Sequence, residues 1–406
     1  MKKQNINKII LLIFTIIIFL LILEFGLRIF YPQNVYNECN PEFPVKHEPI
    51  EPHPIYSWAP IKNFKGCYYS KFTHENIIYK TNNLGLRMEN EVSLIKTKKR
   101  VLLLGDSFTF GAYLNEKDTY YYKLQKYLGE DYEVINMGII GYGSDQEILN
   151  YLYEGAKLQP DIVVVNIFGN DYSDNLNGFS SDVPKNYFDL RTEPELKEKV
   201  TDENNTYYII DYDILEKYAV LVLTNENEIV QTTNNKSKET NDFLSKYSHI
   251  YTLIKETLKK EESKVEPYES INDTQSQFYL LNKNDSALSN ISLAVGFKIF
   301  IEMNKIAASS DSKIIFVNIP FRFQHDEKYR NQVIKRYAGM ENEVFYLKKI
   351  NKVQEDFMKH FSYNYLDLMP NFENSSGLYL KGDLHWNKKG ADLAAQKVSE
   401  YIKNLK

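Results

Sequence analysis

The chain has 406 residues and a formal net charge of −5, with 43% hydrophobic and 25% charged residues. That length holds one large α/β domain with insertions, or two small domains. The mild acidity gives no reason to expect nucleic acid or an anionic surface as partner. Seven histidines and two cysteines show no zinc-like spacing, and no dinucleotide or Walker-type glycine loop is present, so no cofactor or metal is expected. The 32 tyrosines fit either a sugar-lined cleft or ordinary amphipathic packing.

At the N-terminus, Lys2, Lys3 and Lys8 precede the uncharged run Ile9 to Leu23, followed by Glu24, Arg28 and Phe30. The run alone is short of the roughly 20 residues a spanning helix needs. Continuing to Phe30 reaches that length, with Glu24 and Arg28 at the outer interface. No small-x-small site follows Leu23, which argues against a cleaved signal peptide. A buried core helix would not follow three lysines and be apolar on every face. Residues 1–30 therefore read as a single-pass signal anchor, its positive flank inside the cytoplasm and the rest of the chain outside. Cys39 and Cys67 follow; in an oxidising compartment they pair, and two free thiols fit the sequence equally well. Residues 31–98, rich in proline and aromatics and containing His53 to Trp58 and Thr81 to Arg87, read as an extended lead-in of hairpins with a structural role.

From 99 onward a single α/β domain is expected to reach residue 406. Val101 to Leu104 has the continuous apolar character of a strand buried on both faces of a parallel sheet. It runs into Gly105-Asp106-Ser107, a loop closed by Gly111 at the strand's carboxyl end, where open α/β sheets place ligands. By itself such a turn serves equally as a helix cap. Tyr132 to Gly143 reads as a second strand with a glycine-rich turn, and Ser144-Asp-Gln-Glu147 as a capping box. A third strand, Asp161 to Phe168, ends in Gly169-Asn170-Asp171. Strand and helix alternate, which implies parallel pairing through right-handed crossovers.

Residues 172–285 interrupt this pattern. Tyr207–Asp213 and Ala219–Thr224 are expected to pair as strands, ahead of an amphipathic helix over Asn241–Lys260 and a polar stretch, Glu261–Asn284. Rooted beside Asn170, the insertion reads as a lid or substrate platform, with a plain surface insertion as the alternative. The core resumes with a helix over Ala287–Ala308, a strand over Lys313–Pro320, a helix over Asn342–His360 and a short strand near Tyr365–Leu368. A loop, Gly382-Asp-Leu-His-Trp386, leads into a last helix, Lys388–Asn404. Five mostly parallel strands between two helix layers make a three-layer, flavodoxin-like α/β/α sandwich.

A serine hydroxyl needs an adjacent base at neutral pH. His385, in its glycine-flanked loop before the last helix, is the first candidate. Of the other six histidines (His47, His53, His74, His249, His325 and His360), His325 follows a core strand and is the competitor. The four blocks, in the order Ser, Gly, Asn, Asp/His, resemble the SGNH (GDSL-type) hydrolases across roughly residues 100–400. The anchor and the Asp-x-His-Trp loop are similar to those of membrane-anchored bacterial members that add or remove O-acetyl groups on polysaccharides.

That resemblance implies Ser107 as nucleophile, His385 as general base, and Asp383 as the group that fixes the imidazole tautomer. It also implies an oxyanion hole from the Ser107 N–H, the Gly141 N–H and the Asn170 side-chain amide, with Gly138 and Gly143 as alternatives to Gly141. One residue separates Asp383 from His385, where the family usually has two. Asp106 and Asp171 are expected to order their loops. The function implied is an extracytoplasmic serine esterase that removes O-acetyl groups from a carbohydrate. Alternatives are an O-acetyltransferase using the same acyl-serine with a membrane acyltransferase partner, and a non-catalytic carbohydrate-binding protein on the same scaffold.

Overall fold

The computed structural model describes residues 3–30, 49–70, 72–176, 179–180, 183–184, 187–190, 196–200, 206–218, 221–224, 266–267, 277–283 and 286–405. The first element, α1 (Lys3–Phe30), is one continuous helix. Its segment Ile10–Phe30 has mean hydropathy 3.0 and contains no buried residue, the length and composition of a membrane anchor or a signal sequence. Glu24 and Arg28 pair across one helical turn at 3.0 Å.

Two hairpins follow, Ile50–His53 with Ser57–Pro60 and Lys65–Ser70 with Glu75–Lys80. Cys67 lies buried in the second and is disulfide-bonded. Cys39, the chain's only other cysteine, lies outside the described residues.

The core is a five-stranded sheet. Its strands are β1 (Lys99–Leu104), β2 (Tyr132–Asn136), β3 (Ile162–Ile167), β4 (Lys313–Asn318) and β5 (Asn364–Asp367). Every pairing is parallel, and the spatial order is β2-β1-β3-β4-β5. Val101 to Leu104 and Ile162 to Val165 are fully buried, which explains why both strands read as unbroken apolar runs. The order reverses between β1 and β3, and ligands of such sheets settle outside the carboxyl ends at that switch point. The loops carrying Ser107 and Asn170 begin at those two strand ends.

Helices cover both faces. After the four-residue α2 (Ser107–Phe110) come α3 (Tyr120–Leu128), α4 (Ser144–Asn150), α5 (Asn170–Asp174), α6 (Tyr212–Tyr218) and α7 (Ala287–Ser309). Beyond β4 lie α8 (Arg322–His325), α9 (Glu327–Arg336) and α10 (Lys349–His360), and after β5 come α11 (Met369–Glu373) and α12 (Lys388–Lys403). The last helix packs on α3, whereas α4, α5 and α6 pack on α7, the two-layer outcome of right-handed crossovers. The stripe Ala391, Ala394, Ala395, Val398 and Ile402 buries one face of α12. The Asn387 side chain caps its first turn, accepting from Lys389 and Gly390 N–H.

Two expected elements need correction. The segments near Tyr207 and Ala219 do form strands but do not pair with each other. Thr206–Ile210 pairs antiparallel with Leu196–Val200, and Leu221–Thr224 with Tyr187–Leu190. Asp211 accepts from Ile214 N–H and opens α6, turning the chain out of the strand where apolar character alone suggested continuation. The helix expected from Asn342 starts only at Lys349. Asn342 closes a short 3₁₀ turn, Met340–Asn342, and residues 343–346 carry no helix, with Tyr346 N–H donating to Leu281 O and Lys283 N–H to Val344 O. The helix expected over residues 241–260 lies outside the described residues.

Candidate active site

At the end of β1 the chain turns sharply through Gly105, whose φ is +152°. A Cβ there would sit 2.1 Å from Thr109 Oγ1, so the tight entry into α2 requires glycine. Asp106 caps α2 by accepting from Phe108 N–H at 2.8 Å, which leaves Ser107 at the first helical position, partly exposed.

The Ser107 hydroxyl lies 2.7 Å from His385 Nε2, against 3.5 Å from Asp106 Oδ2, and the shorter contact selects histidine as the partner. On the far side of the ring, Nδ1 lies 2.6 Å from Asp383 Oδ1. The same oxygen accepts the His385 backbone N–H at 2.8 Å. That second bond explains how an offset of two residues suffices: the carboxylate folds back on its own loop in an Asx-type turn. Burial pushes the Asp383 carboxyl up, but the hydrogen bonds and charge of His385 outweigh it and hold the group below its ordinary value.

The imidazole is held sterically as well. Phe108 stacks on it with centroids 4.8 Å apart, and Tyr113 meets it edge-on at 5.2 Å. The expected competitor, His325, is instead lodged against Tyr379 and Phe372, and burial lowers its pKa.

The neighbouring strand ends complete the floor. Ile139 N–H donates to Gly105 O, tying the loop after β2 to the Ser107 turn. Of the three glycines in that loop, Gly138 allows close passage of α2, since a Cβ would lie 2.4 Å from Phe110 N. Gly143 caps α4. Gly141 is partly exposed with φ +75°, at a turn that favours glycine.

Asn170 opens α5 beside them, and one N–H of its amide is engaged: Nδ2 donates to Asp174 Oδ2 at 2.8 Å. The amide keeps a second N–H, which it can offer to an oxyanion. Asp171 accepts Phe168 N–H at 2.9 Å and is buried, and burial with the nearby Glu147 and Asp106 charges pushes its carboxyl well above the ordinary range. Burial also raises Asp106, offset in part by Phe108 N–H, the His385 charge, Asn170 and Ser107.

Two arginines were not singled out from sequence as parts of the site. Arg87, fully buried, donates to the carbonyls of Phe110, Gly111 and Leu114 and so fixes the segment leaving α2. Arg322 donates to Leu380 O at 2.8 Å and Asp383 O at 3.2 Å, clamping the histidine loop. Its only sequence signal is a position just past core strand β4, which it shares with His325.

Residues 101–291 match the profile of the GDSL-like Lipase/Acylhydrolase family. No curated protein matches the chain. Among solved structures, a protein of the G-D-S-L family from Desulfitobacterium hafniense aligns at 14% identity over 75% of this chain and 99% of its own, with TM-score 0.35. Est24, a carbohydrate acetylesterase from Sinorhizobium meliloti, aligns at 9% identity over 76% and 100%, TM-score 0.34. The aryl esterase of M. smegmatis aligns at 12% identity over 76% and 100%, also with TM-score 0.34.

Proposed function

We propose, on the premise that this chain carries a GDSL-like lipase/acylhydrolase domain and is a serine ester hydrolase, that it removes O-acetyl groups from a carbohydrate outside the cytoplasm. The observation that carries the reading is the relay of short contacts from Ser107 Oγ through the His385 ring to Asp383. In this reading Ser107 Oγ attacks the ester carbonyl while His385 Nε2 takes its proton, and Asp383 stabilises the imidazolium. The Ser107 and Gly141 N–H groups and the Asn170 amide receive the oxyanion. Collapse expels the sugar hydroxyl, which takes the proton from His385. Water then attacks the acyl-serine, giving its proton to His385, and acetate leaves as Ser107 is restored.

The envelope location is supported by the basic flank of α1 and by the disulfide at Cys67, a bond that persists in oxidising compartments. In this reading α1 remains as a single-pass anchor. The test uses full-length protein in detergent. Hydrolysis of 4-nitrophenyl acetate and of an acetylated oligosaccharide, with fluorophosphonate labelling lost in Ser107→Ala, supports the proposal. A native protein that releases no acetate and takes no label refutes it.

A further inference from the structure

Beside the histidine loop opens a cavity of about 640 Å³, within the range that holds small ligands. It shares Gly382, Asp383 and Leu384 with that loop and Phe168 with the end of β3, so an occupant lies next to the Ser107 relay. Its wall carries three exposed cations, Lys328, Arg336 and Lys381, and none of them forms an ion pair among the described residues. Arg322, also in the wall, is neutralised by Asp326 at 3.0 Å. The lining carboxylate, Asp383, is taken by His385. Among the described residues that line it, the cavity therefore carries surplus positive charge in a chain whose net charge is −5. Like charges gathered round a concave surface repel one another and focus the field on an incoming anion. Tyr329 and Tyr337 supply flat faces between the cations, with Arg322 over the first ring at 4.4 Å and Arg336 over the second at 5.6 Å. Cationic donors beside aromatic faces suit a sugar ring that bears a charged substituent.

We infer that this cavity is a subsite for an anionic substituent, carboxylate or phosphate, on the sugar that carries or adjoins the ester. The inference rests on the esterase reading for its role in turnover, but binding tests it separately. With full-length protein, calorimetry compares unacetylated trigalacturonate, glucose 6-phosphate and neutral xylotriose. Hydrolysis compares O-acetylated trigalacturonate with acetylated xylotriose, and 4-nitrophenyl acetate reports the esterase itself.

The expected result is binding of at least one anionic sugar tenfold or more tighter than xylotriose. Its advantage shrinks as NaCl rises from 0.05 to 0.5 M, and the same preference appears in kcat/KM. The trigalacturonate and phosphate arms identify which anion is recognised. In Lys328→Glu/Lys381→Glu, with an unchanged melting temperature, the ratio of anionic to neutral kcat/KM falls to one or below. Equal binding of all three sugars at low salt overturns the inference, even if aryl acetate is hydrolysed. Preferential anion binding without aryl acetate hydrolysis keeps the subsite and sinks the esterase reading instead.

Discussion

Replacing Asp383 by asparagine separates charge from geometry at the relay. In the chymotrypsin-type triad such a change imposes the wrong tautomer on the imidazole, at a cost near 10⁴ in kcat. Here one oxygen, Asp383 Oδ1, accepts both the His385 backbone N–H at 2.8 Å and the ring Nδ1–H at 2.6 Å. An asparagine NH2 in that place would face two donors, so the amide is anchored with its carbonyl inward and the productive tautomer persists. What is lost is charge. The hydrogen bond falls from the charged to the neutral class, about 1–1.5 kcal/mol. Loss of Coulombic support for the imidazolium adds up to about 4 kcal/mol at an effective dielectric of 20. With both side chains about one-seventh exposed, solvent screens part of that second figure.

At about 1.4 kcal/mol per tenfold, Asp383→Asn is expected to lose roughly 10- to 10³-fold in kcat with KM little changed. Asp383→Ala, which also frees the ring to rotate, is expected to lose about tenfold more. The assay is initial-rate hydrolysis of 4-nitrophenyl acetate, with circular dichroism to confirm folding. An asparagine variant as slow as the alanine variant, or as slow as His385→Ala, refutes the anchoring argument.

Three further outcomes follow from the same geometry. Asn170→Ala is expected to lower kcat about 10²–10³-fold with KM nearly constant, and a loss below threefold in steady-state kinetics removes the amide from the oxyanion hole. Burial holds the Asp171 carboxyl above its unfolded value, so the folded state binds the proton more tightly and stability falls as pH rises from about 4 toward the folded pKa. Asp171→Asn keeps an acceptor for Phe168 N–H, so its melting temperature should exceed that of the native protein by a margin that grows with pH; a margin that shrinks with pH contradicts the sign. Arg87→Met is expected to strand the carbonyls of Phe110, Gly111 and Leu114 and cost about 3–5 kcal/mol. Urea denaturation reads that loss, and a change under 1 kcal/mol denies Arg87 its place in holding the α2 turn.

The parts of this protein legible in its sequence are those whose cause is local. β1 and β3 are buried on both faces, so their burial is written as uninterrupted apolar runs. A parallel sheet with its switch point between them brings their carboxyl ends together, and Ser107 and Asn170 follow. Partner choice in the insertion is a different matter. Thr206–Ile210 and Leu221–Thr224 each carry strand character, but which segment pairs with which depends on the turn at Asp211 and on strands up to 37 residues upstream. No periodicity encodes that.

The two arginines show the same limit from the side of the site. Arg322 reaches carbonyls about 60 residues away, and Arg87 holds a loop more than 20 residues on. Each acts through backbone oxygens, which leave no mark on residue type. The short spacing of Asp383 and His385 is the instructive middle case. Read as a departure from a motif, it weakens the aspartate's claim; read as a two-residue Asx-type turn, it supplies a second donor to the same oxygen. If that turn is what orients the imidazole, the loop needs no distant residue to choose the tautomer, and Arg322 has only to hold the loop in place against Ser107.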